Sequence, residues 1–139
     1  MIALDTNILV RAIVQESEPD AATQQQRAAA QRLLSSGQAV FLPVTVIQEL
    51  EWVLRGVYRL HRDQVLEILE DLLAIEQIVV DRAAAIMDAL EGYRQGLDFS
   101  DALHLAQARH CDRLASFDRK FCQLAKALSL EPTAAVPGA

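Results

Sequence analysis

Met1-Ile2-Ala3-Leu4-Asp5-Thr6-Asn7 opens the chain and decides how the rest is read. An apolar run ends at Asp5, and Ile8, Leu9, Ala12 and Ile13 then recur at helical spacing. The stretch reads as a short, buried central strand with a carboxylate at its tip and a helix leaving at once, to about Gln15. A chain that enters its central strand at Met1 leaves no room for a targeting segment. The stretch also lacks the basic n-region of a signal peptide.

The same grammar repeats downstream. Residues 38–42 are predicted as a second strand ended by Pro43, residues 77–80 as a third, residues 113–117 as a fourth and residues 129–131 as a small fifth. Helices are predicted between them. The first covers Ala21–Ser35, with Ala22, Ala29, Leu33 and Leu34 inward and Gln24, Gln25 and Gln26 in solvent. The next cover residues 44–58, with Val46, Ile47, Leu50, Val53, Leu54 and Val57 on one stripe, and Arg62–Leu73. Asp81 caps a helix over residues 82–95 that Gly96 closes, and two more helices cover residues 100–110 and 119–128. Continuous apolar strands alternating with amphipathic helices specify an α/β fold with a parallel sheet covered on both faces. Residues 1–131 are assigned to one domain, and residues 132–139, with two prolines and a glycine, to a disordered tail.

The totals restrict function. With 139 residues, 52 % of them hydrophobic and 23 % charged, the chain suits one sizeable core. A net charge of -6 argues against a broad basic face for nucleic acid, but not against a nuclease whose acidic site holds cations. Cys111 and Cys122 lack metal-ligand spacing and read as reduced thiols of a cytoplasmic protein. No apolar run approaches the ~20 residues of a membrane span.

Five carboxylates stand out. Asp5 and Asp118 each end a strand before a helix, Asp98 and Asp101 flank a helix start, and Glu49 lies at the edge of an apolar stripe in the second turn after strand two. Each has an ordinary alternative, because an Asp before a helix is a good N-cap and Glu49 can simply be solvated. Asp81 occupies the same kind of junction, so the pattern alone does not mark a site. Topology separates them: in an open parallel sheet, ligands bind at the carboxyl ends of strands where the strand order reverses. If strand one is central, Asp5 and Asp118 border that crevice and Asp81 lies toward an edge. Converging carboxylates repel, so they imply a bound cation. Oxygen donors without Cys or His favour Mg²⁺ or Mn²⁺, one or two ions, with a phosphate substrate.

The residues that carry a family resemblance are Ile2-Ala3-Leu4-Asp5-Thr6-Asn7, Glu49 within Val46-Ile47-Gln48-Glu49-Leu50, Asp98-Phe99-Ser100-Asp101-Ala102-Leu103-His104, and Ser116-Phe117-Asp118. In order, spacing and context the sequence resembles PIN-domain proteins, specifically the VapC-type toxins of toxin–antitoxin pairs. The resemblance implies an α/β/α sandwich with a parallel sheet of four to five strands in the order 3-2-1-4-5. It implies a metal-dependent endoribonuclease in which Asp5, Glu49, Asp101 and Asp118 are catalytic and, with Asp98, hold the metal. Thr6, Asn7 and Ser116 would support those ligands. It also implies an RNA substrate, a cognate antitoxin with a basic side chain for the acidic pocket, and a homodimer.

Weaker candidates remain. His104 follows Asp101 by one turn, and His61 and His110 have no partner spacing. Arg55, Arg59 and Arg62 either steer phosphate or form a solvated face, and Arg119-Lys120 either contacts RNA backbone or balances local acids. The competing function is a non-catalytic binding module whose acidic pocket receives a basic peptide.

Overall fold

The apolar runs form short parallel strands, and each change of strand is made through helices, as parallel pairing requires. A computed structural model describes residues 1–138 of the chain. Two compact units are present, Met1–Asp81 and the residues from Arg82 onward.

In the first unit β1 (Ile2–Ala3), β2 (Val40–Leu42) and β3 (Ile78–Val80) form a parallel sheet in the spatial order 3-2-1. Ile2 pairs with Val40 and Ala3 with Phe41, while Val40, Phe41 and Leu42 pair with Ile78, Val79 and Val80. Val40 and Leu42 are fully buried, as expected of a strand paired on both sides. Helices α1 (Thr6–Ile13) and α2 (Ala21–Ser35) connect β1 to β2, and α3 (Val44–Trp52) and α4 (Arg62–Leu73) connect β2 to β3.

The second unit contains α5 (Ala83–Arg94), α6 (Phe99–Gln107), β4 (Arg113–Ala115), α7 (Arg119–Ala127) and β5 (Thr133–Ala135). α5 and α6 are joined by a tight stop. Gly96 has φ +109°, its N–H donates to Tyr93 O, and Leu97 N–H donates to Gly92 O. That pair of bonds satisfies the last carbonyls of α5 and turns the chain back on itself. The Tyr93 and Phe99 rings meet edge to face, with centroids 5.7 Å apart. At Gly92 an added Cβ would stand 3.1 Å from Leu97 Cδ1 and 3.3 Å from Ala102 Cβ, so the α5–α6 packing uses the missing side chain. β4 and β5 pair in parallel, Leu114 opposite Ala134.

Several expectations need correction. The described strands form a three-stranded and a two-stranded sheet, so a single sheet of four to five strands is met only in part. The buried stripe of α2 reduces to Ala30, with Leu33 and Leu34 half-buried and Ala22 and Ala29 exposed. An Ala- and Gln-rich helix has little apolar area to bury, and its three successive glutamines are in solvent as expected. Asp81 does not cap α5. Its N–H continues the sheet ladder to Leu42 O at 3.0 Å, and Arg82, with φ +53°, is the residue before the helix.

The regular helix expected over residues 44–58 ends at Trp52 and becomes a π-helical turn, Val53–Val57, in which Tyr58 N–H reaches back to Val53 O at 3.1 Å. Gly56, a poor helix former, lies within it. The fifth strand lies at Thr133–Ala135, inside the stretch read as a tail. The stop of α7 takes up Ser129, at φ +55°, and Leu130, whose N–H donates to Ala125 O, before the chain can extend. Residue 139 of that expected tail lies outside the described residues.

Candidate active site

Four aspartates stand at helix starts, and their bonding differs. Asp20, before α2, accepts the Thr23 N–H at 2.7 Å, three residues on, as an ordinary cap does. That bond holds its carboxyl below the usual range. Asp98 accepts the Asp101 N–H at 3.3 Å before α6, and Asp118 accepts the Phe121 N–H at 3.0 Å before α7, with the same offset. Asp5 departs from this pattern. It accepts the adjacent Thr6 N–H at 2.7 Å, with the Asn7 side-chain amide at 3.5 Å from its other oxygen. The carboxylate is turned toward the start of its own helix and clamped there.

In the first unit Asp5, Thr6, Asn7, Val10, Arg11, Glu49, Val53 and Tyr58 line one cavity of about 330 Å³. Asp5 arrives from the end of β1 and Glu49 from the second turn of α3, and both line this cavity. Thr6 is buried, and its Oγ1 has no hydrogen-bond partner among the described residues. A buried hydroxyl without a partner is costly, and beside Asp5 it is a ready oxygen donor.

In the second unit Asp101 is half-buried in the first turn of α6. Its carboxyl is held above the usual range, first by burial, then by the like charges of Asp98 and Asp118, with His104 acting in the opposite sense. The three acids of this half are therefore close enough to feel one another. The Ser116 hydroxyl accepts the backbone N–H of Asp118 at 3.1 Å. Among the described residues no group of three or more His, Cys, Asp or Glu side chains is arranged to hold a metal ion. The donor chemistry of both halves nevertheless fits a hard cation. It is all oxygen, and it includes one buried hydroxyl without a partner and one carboxyl whose ionisation the fold opposes.

Three residues near Asp5 and Glu49 escaped the sequence reading. Arg11 lines the cavity one helical turn beyond Asn7, and that spacing was a usable signal. Tyr58 gave none, because regular helical spacing puts it on the wrong face. Glu51 is 2 % exposed, held by Arg55 Nε at 2.9 Å. Its place beside Leu50 and Leu54, with Arg55 four residues on, was the available sign. Arg55 thereby leaves the proposed phosphate-steering group. His61 immediately precedes α4, where its backbone N–H donates to Gln64 Oε1 at 2.9 Å.

The chain is 30 % identical over 128 residues to a VapC ribonuclease of Aquifex aeolicus (strain VF5), covering 89 % of this chain and 92 % of that protein. The family model for the PIN domain matches residues 2–127, a span that includes each carboxylate described above, and the chain belongs to the PIN-domain family.

Proposed function

We propose that the chain is a metal-dependent endoribonuclease and the toxin of a toxin–antitoxin pair, with Asp5, Glu49, Asp98, Asp101 and Asp118 acting in one reaction. The observation that carries this reading is that Asp101, whose proton affinity is raised first by burial, has Asp98 and Asp118 near enough to raise it further. Stability does not call for such a cluster, whereas a cation would relieve it. Membership of the PIN family and the likeness to a VapC ribonuclease supply the reaction class.

The carboxylates and Thr6 Oγ1 would hold Mg²⁺ or Mn²⁺. Such a cation, when bound, polarises a phosphoryl oxygen and makes a water easier to deprotonate. The chain's own residues do the rest. Asp5 is oriented by the Thr6 N–H and the Asn7 amide. Asp118 is fixed by Phe121 N–H and Ser116. A carboxylate has roughly four acceptor sites, so one backbone bond orients it without exhausting it. Hydrolysis adds one water across a phosphodiester P–O bond, and Arg11 offers positive charge to the phosphate from the cavity wall.

The reading carries further parts. The strands follow the family order 3-2-1-4-5. The protein is cytoplasmic, forms a homodimer and is inhibited by a small antitoxin whose basic side chain enters the acidic pocket. Among the described residues no helix is long and apolar enough to cross a membrane.

Purified protein should cut RNA with Mg²⁺ or Mn²⁺ and stop on chelation. Asp5→Asn and Asp101→Asn should each lower the rate by roughly 10²-fold or more, the scale of losing a charge-stabilising group. Equal cleavage by both variants and the wild type would sink the reading. A folded wild type that cuts no RNA but binds basic peptides would instead support the non-catalytic module.

A further inference from the structure

Glu49 and Tyr58 are nine residues apart, and on an uninterrupted α-helix that is about two and a half turns, which puts them on opposite faces. In the structure both line the cavity that contains Asp5. The π-helical turn Val53–Val57 makes the difference: it widens the helix, so that Tyr58 N–H bonds Val53 O and Leu60 N–H bonds Leu54 O. Such turns interrupt a regular ladder and recur at functional sites. This one is anchored from within, because Arg55 in the turn grips the buried Glu51 of α3 through both carboxylate oxygens. The chain thus departs from regular helix and secures the departure, and the result is an aromatic ring, half-buried, on the wall beside two acids and one arginine.

An aromatic face next to a phosphodiester site has a natural occupant. Every nucleobase offers a flat π surface, and a base out of its own stack gains by packing on such a ring. We propose that Tyr58 is the base-stacking residue of this site: a nucleotide flanking the cut turns its base onto the ring. The proposal rests on the ribonuclease reading above and adds the residue that holds a base beside the cut. Arg11, the one cation among the lining residues, suits the neighbouring phosphate; it is steadied by Gln26 Oε1 at 2.7 Å and Glu16 Oε1 at 3.4 Å.

The test uses the full chain and a short fluorescein-labelled single-stranded oligoribonucleotide of mixed sequence, with copies that each carry one abasic ribose. Cleavage is followed in Mn²⁺ and binding by fluorescence anisotropy. Tyr58→Leu, which keeps bulk but removes the ring, should raise KM and Kd by about 5- to 150-fold, with kcat changed far less. Tyr58→Phe should stay within about threefold of wild type, because the ring remains. One abasic position beside the cut should weaken wild-type binding by a similar factor and add nothing in Tyr58→Leu.

Wild-type KM and Kd in Tyr58→Leu would overturn the proposal. So would an equal loss in Tyr58→Phe, which would assign the effect to the hydroxyl. If Tyr58→Leu does not fold, the abasic series on wild type decides, and a series with no sensitive position overturns the stack. A wild type that binds the oligonucleotide without cutting it removes the ribonuclease reading, while the Tyr58 comparison still stands or falls on binding. A wild type that neither binds nor cuts ends both.

Discussion

Arg55→Met should destabilise the protein more than any exposed arginine substitution, and the reason lies in Glu51. That carboxylate is 2 % exposed and is held by the Arg55 guanidinium, with Nε 2.9 Å from one oxygen and 3.4 Å from the other. Removing one partner of a buried pair typically costs about 3–5 kcal/mol, because the remaining charge is stranded away from water. The arginine side is 37 % exposed, so water can enter where the guanidinium was and part of that cost is screened. About 2–3 kcal/mol is then expected. With a urea dependence near 2 kcal/mol per molar, this lowers the unfolding midpoint by roughly 1–1.5 M. Glu51→Leu should cost less, about 1 kcal/mol, since Arg55 can turn toward solvent and leucine suits the apolar stripe. The double variant should resemble Glu51→Leu alone, with a coupling of about 2–3 kcal/mol in magnitude. Urea titrations of the four proteins by circular dichroism measure this. Strictly additive losses, or a midpoint shift below about 0.3 M for Arg55→Met, would refute the argument that the pair holds the π-helical turn.

Three further outcomes follow from local geometry. Asp101 has a raised proton affinity in the folded state, so it favours folding while protonated, and that contribution is lost as pH rises through its folded pKa. In chelator, Asp101→Asn should therefore raise the unfolding midpoint at pH 7, and the gain should shrink as pH falls toward about 4; a variant less stable than wild type at pH 7 would contradict this. Ser129 holds φ +55° at the stop of α7, where an L side chain is strained by about 1–2 kcal/mol, so Ser129→Gly should be neutral to about 1 kcal/mol stabilising in thermal unfolding, and a clear loss would show that the serine makes an unrecognised contact. Gly92→Ala brings a methyl to 3.1 Å from Leu97 Cδ1 and 3.3 Å from Ala102 Cβ; the overpacking, about 1–3 kcal/mol, should exceed the helix-propensity gain of up to about 1 kcal/mol and lower the urea midpoint, whereas a raised midpoint would mean that Leu97 yields freely.

These predictions separate by where their information resides. Asp5, Glu49, Asp98, Asp101 and Asp118 were legible as candidates because each interrupts a strong local pattern, the end of an apolar strand or the edge of a helical stripe. The sequence also marked most helices and the parallel strands to within a few residues, α2 and α4 to their ends, since apolar periodicity and caps are local signals. Asp81 shows the limit of that logic. Its residue type suits a cap, yet β3 still engages its N–H, so the helix begins one residue later from a left-handed Arg82.

What the amino-acid order determined by itself is the α/β alternation and the identity of the acids, because both depend on neighbours within a few residues. Tertiary structure decided which Asp is an ordinary cap and which is not: Asp20 and Asp5 both precede a helix but accept different N–H groups. It also decided that Glu51 is buried on Arg55, that Asp101 shares its surroundings with Asp98 and Asp118, and that Tyr58 comes to the wall beside Asp5 and Glu49. Each of these depends on groups brought close by packing, and the last on a change of helical period that side-chain patterning assumes constant. A regular 3.6-residue helix is the premise of any reading by periodicity, and at Val53–Val57 this chain abandons it.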